Sequence, residues 1–218
     1  MRYSAVLFDL DGTLLDTIDD LAGALNAARV MNGLPTQDLA LIKSFIGNGR
    51  RRLIERSLTD NPGTFDDALA DKLIADHIRY YNSHCMVTTK PFDGIEELIM
   101  RLRSDGLKIC CITNKDDVPA QVLISHFFPD MFDYVAGSMA GVEFKPDPGT
   151  VLKCCDSIGV TPDRCVYIGD SEVDIQTAAN AGMDCISVCW GYKTRGFLEQ
   201  NGAANLCSNP VDLRRFIV

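Results

Sequence analysis

The sequence predicts an α/β protein, a parallel sheet with helices on both faces and an all-helical insertion near its start. Three observations carry this reading. Five short apolar runs are continuous rather than alternating, as strands buried on both faces are. Most segments between them have helical periodicity, and one long stretch after the first run holds helical patterns only. The first run, 3–8 (YSAVLF), is stopped by acids and glycine at 9–13 (DLDGT). Four more follow at 108–113 (KICCIT), 134–137 (YVAG), 165–169 (CVYIG) and 185–188 (CISV). Between them, 94–103 sets Ile95, Leu98, Ile99 and Leu102 on one stripe, and 148–158 has the same character. Strands alternating with helices give a doubly wound, Rossmann-like sheet.

From residue 16 to about 85 the pattern changes to amphipathic helices at 19–31, 38–45, 49–58 and 65–82. Gly33-Leu34-Pro35, Gly47-Asn48-Gly49 and Asn61-Pro62-Gly63 punctuate them. The expected division is an α/β core of 1–15 and 88–218 and a helical domain of 16–87. Its two crossings form a hinge beside the loop that ends the first strand.

Composition narrows the function classes. The chain has 218 residues, 46% of them hydrophobic, enough for a substantial core with an insertion. No run of about eighteen apolar residues is present to span a bilayer, and residues 1–3 lead into a strand without a cleavage-site pattern, so a cytoplasmic location is expected. The nine cysteines include the pairs Cys110-Cys111 and Cys154-Cys155 and none has CxxC or Cys/His spacing. An odd number in apolar runs predicts free, buried thiols in a reducing compartment. A formal charge of -9 repels polyanions, which excludes a nucleic-acid backbone as partner. A small molecule acting on a monomer or weak dimer is the expectation.

Ligands of an open parallel sheet bind beyond the C-terminal ends of its strands. The polar residues there are Asp9 and Asp11 after the first strand and Thr113 and Asn114 after the second. Lys145 follows the third strand, and Asp170, Ser171 and Asp174 the fourth. Three acids meeting at one point repel each other unless a hard cation and a lysine compensate them, which predicts Mg²⁺ held by oxygen alone. One carboxylate can then attack phosphorus, and a second, two residues on, can protonate the leaving oxygen and later activate water. Asp9 and Asp11 fit those roles, with Thr113, Asn114 and Lys145 as donors to the phosphoryl oxygens. Singly each piece has a plainer reading: a turn at 9–13, a surface lysine before Pro146, helix-capping acids at 170 and 174. The pieces in order, each at the end of a successive strand, point to one active site.

DLDGT at 9–13, TN at 113–114, KPDP at 145–148 and GDSEVD at 169–174 resemble the motifs of the haloacid dehalogenase superfamily over the whole chain, and the insertion resembles its type 1 cap. The resemblance implies Asp9 as nucleophile and Mg²⁺ ligand, and Asp11 as acid/base that also ligates through its backbone carbonyl. It implies Asp170 as the third ligand and Asp174 as support for the lysine or a metal-bound water. Asp11 and the Gly12-Thr13 pair are similar to the phosphatase form of the first motif. Ile46-Gly47-Asn48-Gly49, Leu53-Ile54-Glu55-Arg56 and Trp190-Gly191-Tyr192 resemble the phosphoglycolate phosphatase subgroup. Related pyrophosphatases and a hexose-phosphate mutase of the same cap type are the alternatives.

Substrate choice then falls to the cap. Gly47, Asn48 and Gly49 lead into the basic run Arg50-Arg51-Arg52 and Arg56. Arg50, Arg52 and Arg56 are candidates for a substrate carboxylate, against a solvated helix face. His77 and His84 read as ordinary helix residues.

Overall fold

The computed structural model describes residues 2–59, 65–139, 141, 143 and 145–218. The predicted turn at Asn61-Pro62-Gly63 lies outside them. In chain order the elements are β1 (Ala5–Phe8), β2 (Leu15–Asp16), α1 (Ile18–Met31), α2 (Leu39–Phe45), α3 (Gly49–Leu58), α4 (Asp67–His84) and β3 (Lys90–Pro91). There follow α5 (Ile95–Ser104), β4 (Lys108–Asp116), α6 (Asp117–Phe127), β5 (Tyr134–Ser138) and α7 (Gly149–Ile158). The chain closes with β6 (Cys165–Gly169), α8 (Glu172–Ala181), β7 (Asp184–Val188), α9 (Arg195–Gln200), β8 (Leu206–Cys207) and α10 (Pro210–Ile217).

Six strands form one parallel sheet in the order β5-β4-β1-β6-β7-β8. Their side chains alternate between two cores, which is why the runs are apolar throughout. Val6, Phe8, Ile109, Cys111, Val166 and Ile168 face one side with α5, α6 and α10. Ala5, Leu7, Cys110, Ile112, Cys165 and Tyr167 face the other, against α7 and α8. The nine cysteines are all free thiols, seven of them buried. No helix among the described residues is long and apolar enough to cross a membrane.

From β1 the chain moves to β4 and β5 on one side, then crosses to β6 and β7 on the other. The strand order thus reverses beside β1, and a crevice opens there at the C-terminal strand ends. Over it, α1 to α4 pack around their own core of Leu25, Ile42, Phe45, Leu53, Ile54 and Leu73. Asp38 caps α2, accepting from the Leu41 amide at 2.8 Å, which puts that helix start one residue beyond the predicted one. The sequence reading missed two things: β8, and a two-stranded antiparallel pairing of β2 with β3 where the chain leaves for the helices and returns.

That double crossing is fastened by one carboxylate. Asp20, 6% exposed on α1, accepts from the amides of Val87, Thr88 and Thr89 and from the hydroxyls of Thr88 (2.7 Å) and Thr89 (2.7 Å). Burial alone would raise its pKa; the Thr88 and Thr89 hydrogen bonds outweigh that and hold it below the usual carboxylate value. A carboxyl depressed on folding adds stability that is complete above its unfolded value of about 4 and is lost as pH falls through the folded one. Asp20→Asn is therefore expected to cost roughly 2–3 kcal/mol at pH 7, with the deficit shrinking as pH is lowered to 3. Denaturant melts of both proteins across that range check it, and a deficit independent of pH refutes it.

Candidate active site

Register brings the strand ends level: Phe8 pairs with Cys111 of β4 on one side and Ile168 of β6 on the other. Asp9 continues the ladder, its amide donating to Ile168 O at 2.9 Å. Asp9, Asp170 and Asp174 then meet, each offering an oxygen within 4.8 Å of the others, and all three are buried. Lys145 reaches into this group from the far side. Its Nζ donates to Asp9 Oδ1 (2.8 Å), Asp174 Oδ1 (2.7 Å) and the Tyr167 hydroxyl (3.0 Å).

The charges are unequal. Burial works against the Lys145 ammonium, but Asp174 and Asp9 outweigh it and hold its pKa well above the usual value. Burial pushes Asp9 up to about 6; Lys145 opposes this, and Asp174 and Asp11 reinforce it. Burial and then the charges of Asp174 and Asp9 drive Asp170 well above the ordinary range. Three carboxylates around one ammonium leave negative charge uncompensated, and every donor is a hard oxygen. These residues fit a divalent cation such as Mg²⁺.

Asp11 is not in that cluster. Its carboxylate accepts from Lys115 Nζ at 2.9 and 3.1 Å and from the Thr17 hydroxyl at 2.7 Å. Lys115 is buried as well; Asp11 first and Tyr81 second overcome the burial that would lower its pKa, and it stays charged. The sequence reading did not single out Lys115. Period two along β4 carries the signal, because Lys115 falls two positions after Thr113.

Thr113 and Asn114 lie inside β4, not after it. Thr113 lines the cavity with its hydroxyl able to donate. Asn114 has another occupation: its side-chain N–H groups go to Gly47 O (3.1 Å) and Lys145 O (3.0 Å), and its Oδ1 accepts from the Lys145 amide (2.8 Å). It fixes the lysine's backbone and ties the loop before α3 to the sheet. Ser171 turns to Asp174 in the same way, its amide (3.1 Å) and hydroxyl (2.6 Å) both donating to Oδ2 and orienting the other oxygen toward Lys145.

The loop after β7 closes the floor. The Tyr192 amide donates to Asp170 Oδ2 at 2.5 Å, the Trp190 indole to Thr13 O at 3.0 Å, and the Thr17 amide to the Tyr192 hydroxyl at 2.8 Å. This needs Gly191, since a Cβ there would lie 2.3 Å from Gly12 O and 2.4 Å from Asp170 Oδ2. Gly12 itself has φ +87°, and a Cβ on it would meet Asp170 Oδ2 at 2.5 Å.

Of the predicted specificity residues, Gly47, Gly49 and Arg50 line the cavity with Asp9, Asp11 and Asp170. Arg50 forms an ion pair with Asp116 at the end of β4. Asn48 sits at the start of α3, outside the lining. Arg52 is exposed and pairs with Glu55, and Arg56 donates to Phe45 O at 2.9 Å, so it braces α2 against α3. His77 and Tyr81 of α4 also line the cavity.

Residues 6–188 match the haloacid dehalogenase-like hydrolase family. A phosphoglycolate phosphatase of Thiobacillus denitrificans is 37% identical over 194 residues, covering 88% of this chain and 86% of the relative. One from Chromobacterium violaceum is 34% identical over 216 residues, 98% of this chain and 97% of the relative. A crystal structure from Lactobacillus delbrueckii subsp. bulgaricus superposes with TM-score 0.95 at 35% identity, covering 100% of this chain and 99% of that one. CbbY from Rhodobacter sphaeroides, solved in complex with phosphate, reaches TM-score 0.77 at 25% identity over 97% of this chain and 96% of its own. With the motif residues gathered at the strand ends and the match running over most of its length, the chain belongs to the haloacid dehalogenase-like hydrolase family.

Proposed function

We propose that the protein is a Mg²⁺-dependent phosphatase that hydrolyses a small acidic phosphate monoester, 2-phosphoglycolate first among them, through a phosphoryl group carried on Asp9. The observation behind this is the convergence of Asp9, Asp170 and Asp174, with Lys145 bound to Asp9 and Asp174, beside a cavity that Asp9 and Asp170 line. Bound among these carboxylates, Mg²⁺ would neutralise their charge and polarise the phosphoryl oxygens. Asp9 then attacks phosphorus, while Lys145 and the Thr113 hydroxyl bind the oxygens that carry charge in the transition state. Asp11, held by Thr17 and Lys115, protonates the leaving oxygen and next takes a proton from the water that frees Asp9. Residues 16–87 act as a cap that excludes bulk water, hinged at the Asp20 crossing, and residues 1–15 and 88–218 form the core. The relatives named phosphoglycolate phosphatase and the cavity-facing Arg50 support the acidic substrate. The setting we propose is the cytoplasm.

A panel with Mg²⁺ tests the reading, using 2-phosphoglycolate, pyrophosphate, hexose phosphates and nucleotides. The expected outcome is a kcat/KM for 2-phosphoglycolate at least about tenfold above the rest, one charge-assisted contact's worth. A preference for pyrophosphate or a hexose phosphate overturns the substrate assignment.

A further inference from the structure

His77 is out of place for a packing residue. It sits on α4, 1% exposed, and neither ring nitrogen has a hydrogen-bond partner among the described residues. The ring stacks on Tyr81 at 5.7 Å between centroids and 16° between planes, which leaves its nitrogens at the edges of the stack. Burial, with the positive charges of Arg50 and Lys115 acting the same way, lowers its pKa to about 3, so the ring is neutral with one N–H donor and one acceptor. A buried polar group without a partner destabilises the fold, and phenylalanine at this position would stack equally well without that cost. The ring lines the cavity that Asp9 also lines.

Arg50, on α3, lines the same cavity and is 11% exposed. One terminal nitrogen is paired with Asp116, and its Nε is buried with no partner among the described residues. Lys115, the other cation near His77, is committed to Asp11. Besides Asp9, Asp11 and Asp170, the cavity lining therefore holds a neutral ring with polar edges and a guanidinium with an unused N–H, together with apolar Leu21, Ile46 and Leu53.

We propose that His77 is a specificity-determining residue, and that its N–H and the Arg50 Nε–H together hold the carboxylate of a short leaving group. This rests on the phosphatase reading and deepens it. The donors suit a single negative charge. Arg50 already holds one carboxylate, that of Asp116, which is 38% exposed and free to turn to solvent when another arrives. A second phosphate, with about twice the charge, would meet stronger repulsion from Asp116 and Asp11, which line the same cavity. A sugar hydroxyl would leave the guanidinium without a charged partner.

Two substrates of matched size separate the carboxylate from the rest of the leaving group: 2-phosphoglycolate and ethyl phosphate. His77→Phe keeps the stack and removes both nitrogens; His77→Asn keeps an N–H. For His77→Phe we expect KM for 2-phosphoglycolate to rise about tenfold with kcat within about threefold, kcat/KM for ethyl phosphate unchanged, and a melting temperature no lower than wild type. His77→Asn should recover part of the loss. An unchanged KM in His77→Phe, or an equal loss on both substrates, overturns the assignment and returns the ring to packing. A wild-type enzyme that hydrolyses ethyl phosphate as well as 2-phosphoglycolate also overturns it, while the phosphatase reading survives. That reading fails separately, if a folded Asp9→Asn protein still hydrolyses both.

Discussion

Asp9→Asn is expected to lower turnover by at least about a thousandfold while the protein stays folded. The amide has the shape of the carboxylate, so it fills the same place after β1, where the backbone ladder to Ile168 is untouched. What it loses is the negative charge that, in the proposed mechanism, makes the oxygen a nucleophile toward phosphorus. The fold should tolerate the change. Lys145 keeps Asp174 and the Tyr167 hydroxyl, and one of three mutually repelling buried carboxyls disappears. Because burial raises the Asp9 pKa to about 6, its ionised form opposes folding above that pH in metal-free protein, and neutral asparagine relieves the opposition. The variant should thus melt at or above the wild-type temperature in EDTA at pH 7.5. Turnover within tenfold of wild type from such a folded variant would falsify Asp9 as nucleophile.

Chelation is the second large effect. Activity should fall to background in EDTA and return on adding Mg²⁺, since without a cation nothing in the acid cluster polarises the phosphoryl oxygens or offsets the attacking carboxylate's charge against an anionic substrate. The same cluster predicts a signal that needs no substrate. Mg²⁺ at about a hundred times its dissociation constant should stabilise the fold by roughly 2.7 kcal/mol, seen as a rise in melting temperature. Asp170→Asn should remove most of that rise, with two acids left in place of three. Full turnover in metal-depleted buffer, or a melting temperature indifferent to Mg²⁺, contradicts the assignment.

The sheet was legible because a strand covered on both faces has no polar position until it ends, so Asp9 and Asp170 stand out where apolar runs stop. Helix α3 was legible to the residue, with glycine before it and a clear stripe within. β8 was not, because two residues at a sheet edge carry no pattern. Neither was the β2–β3 pair, two residues each, whose partners are some seventy-five positions apart with four helices between them. Lys115 was hidden by its neighbours: beside Asp116 and Asp117 it reads as surface charge, and the extension of β4 past Thr113 is what buries it. The arginines show the same limit. Spacing made Arg50, Arg52 and Arg56 equal candidates, and only the packing of α3 on its neighbours turns Arg50 inward and leaves Arg52 in solvent. His77 needed the cavity itself to be noticed.

The loop at 190–192 bears on where this chain can be cut or fused. All four family-like motifs lie before it, and the family match ends at 188. A fragment trimmed there would pass any motif inspection. It would also lose the peptide N–H that holds Asp170, the indole that holds Thr13 and the phenol that receives the Thr17 amide. Recombination with a homologue should therefore keep 190–192 with its own first loop, because the close approach of Gly191 to Gly12 makes the two loops one inherited unit.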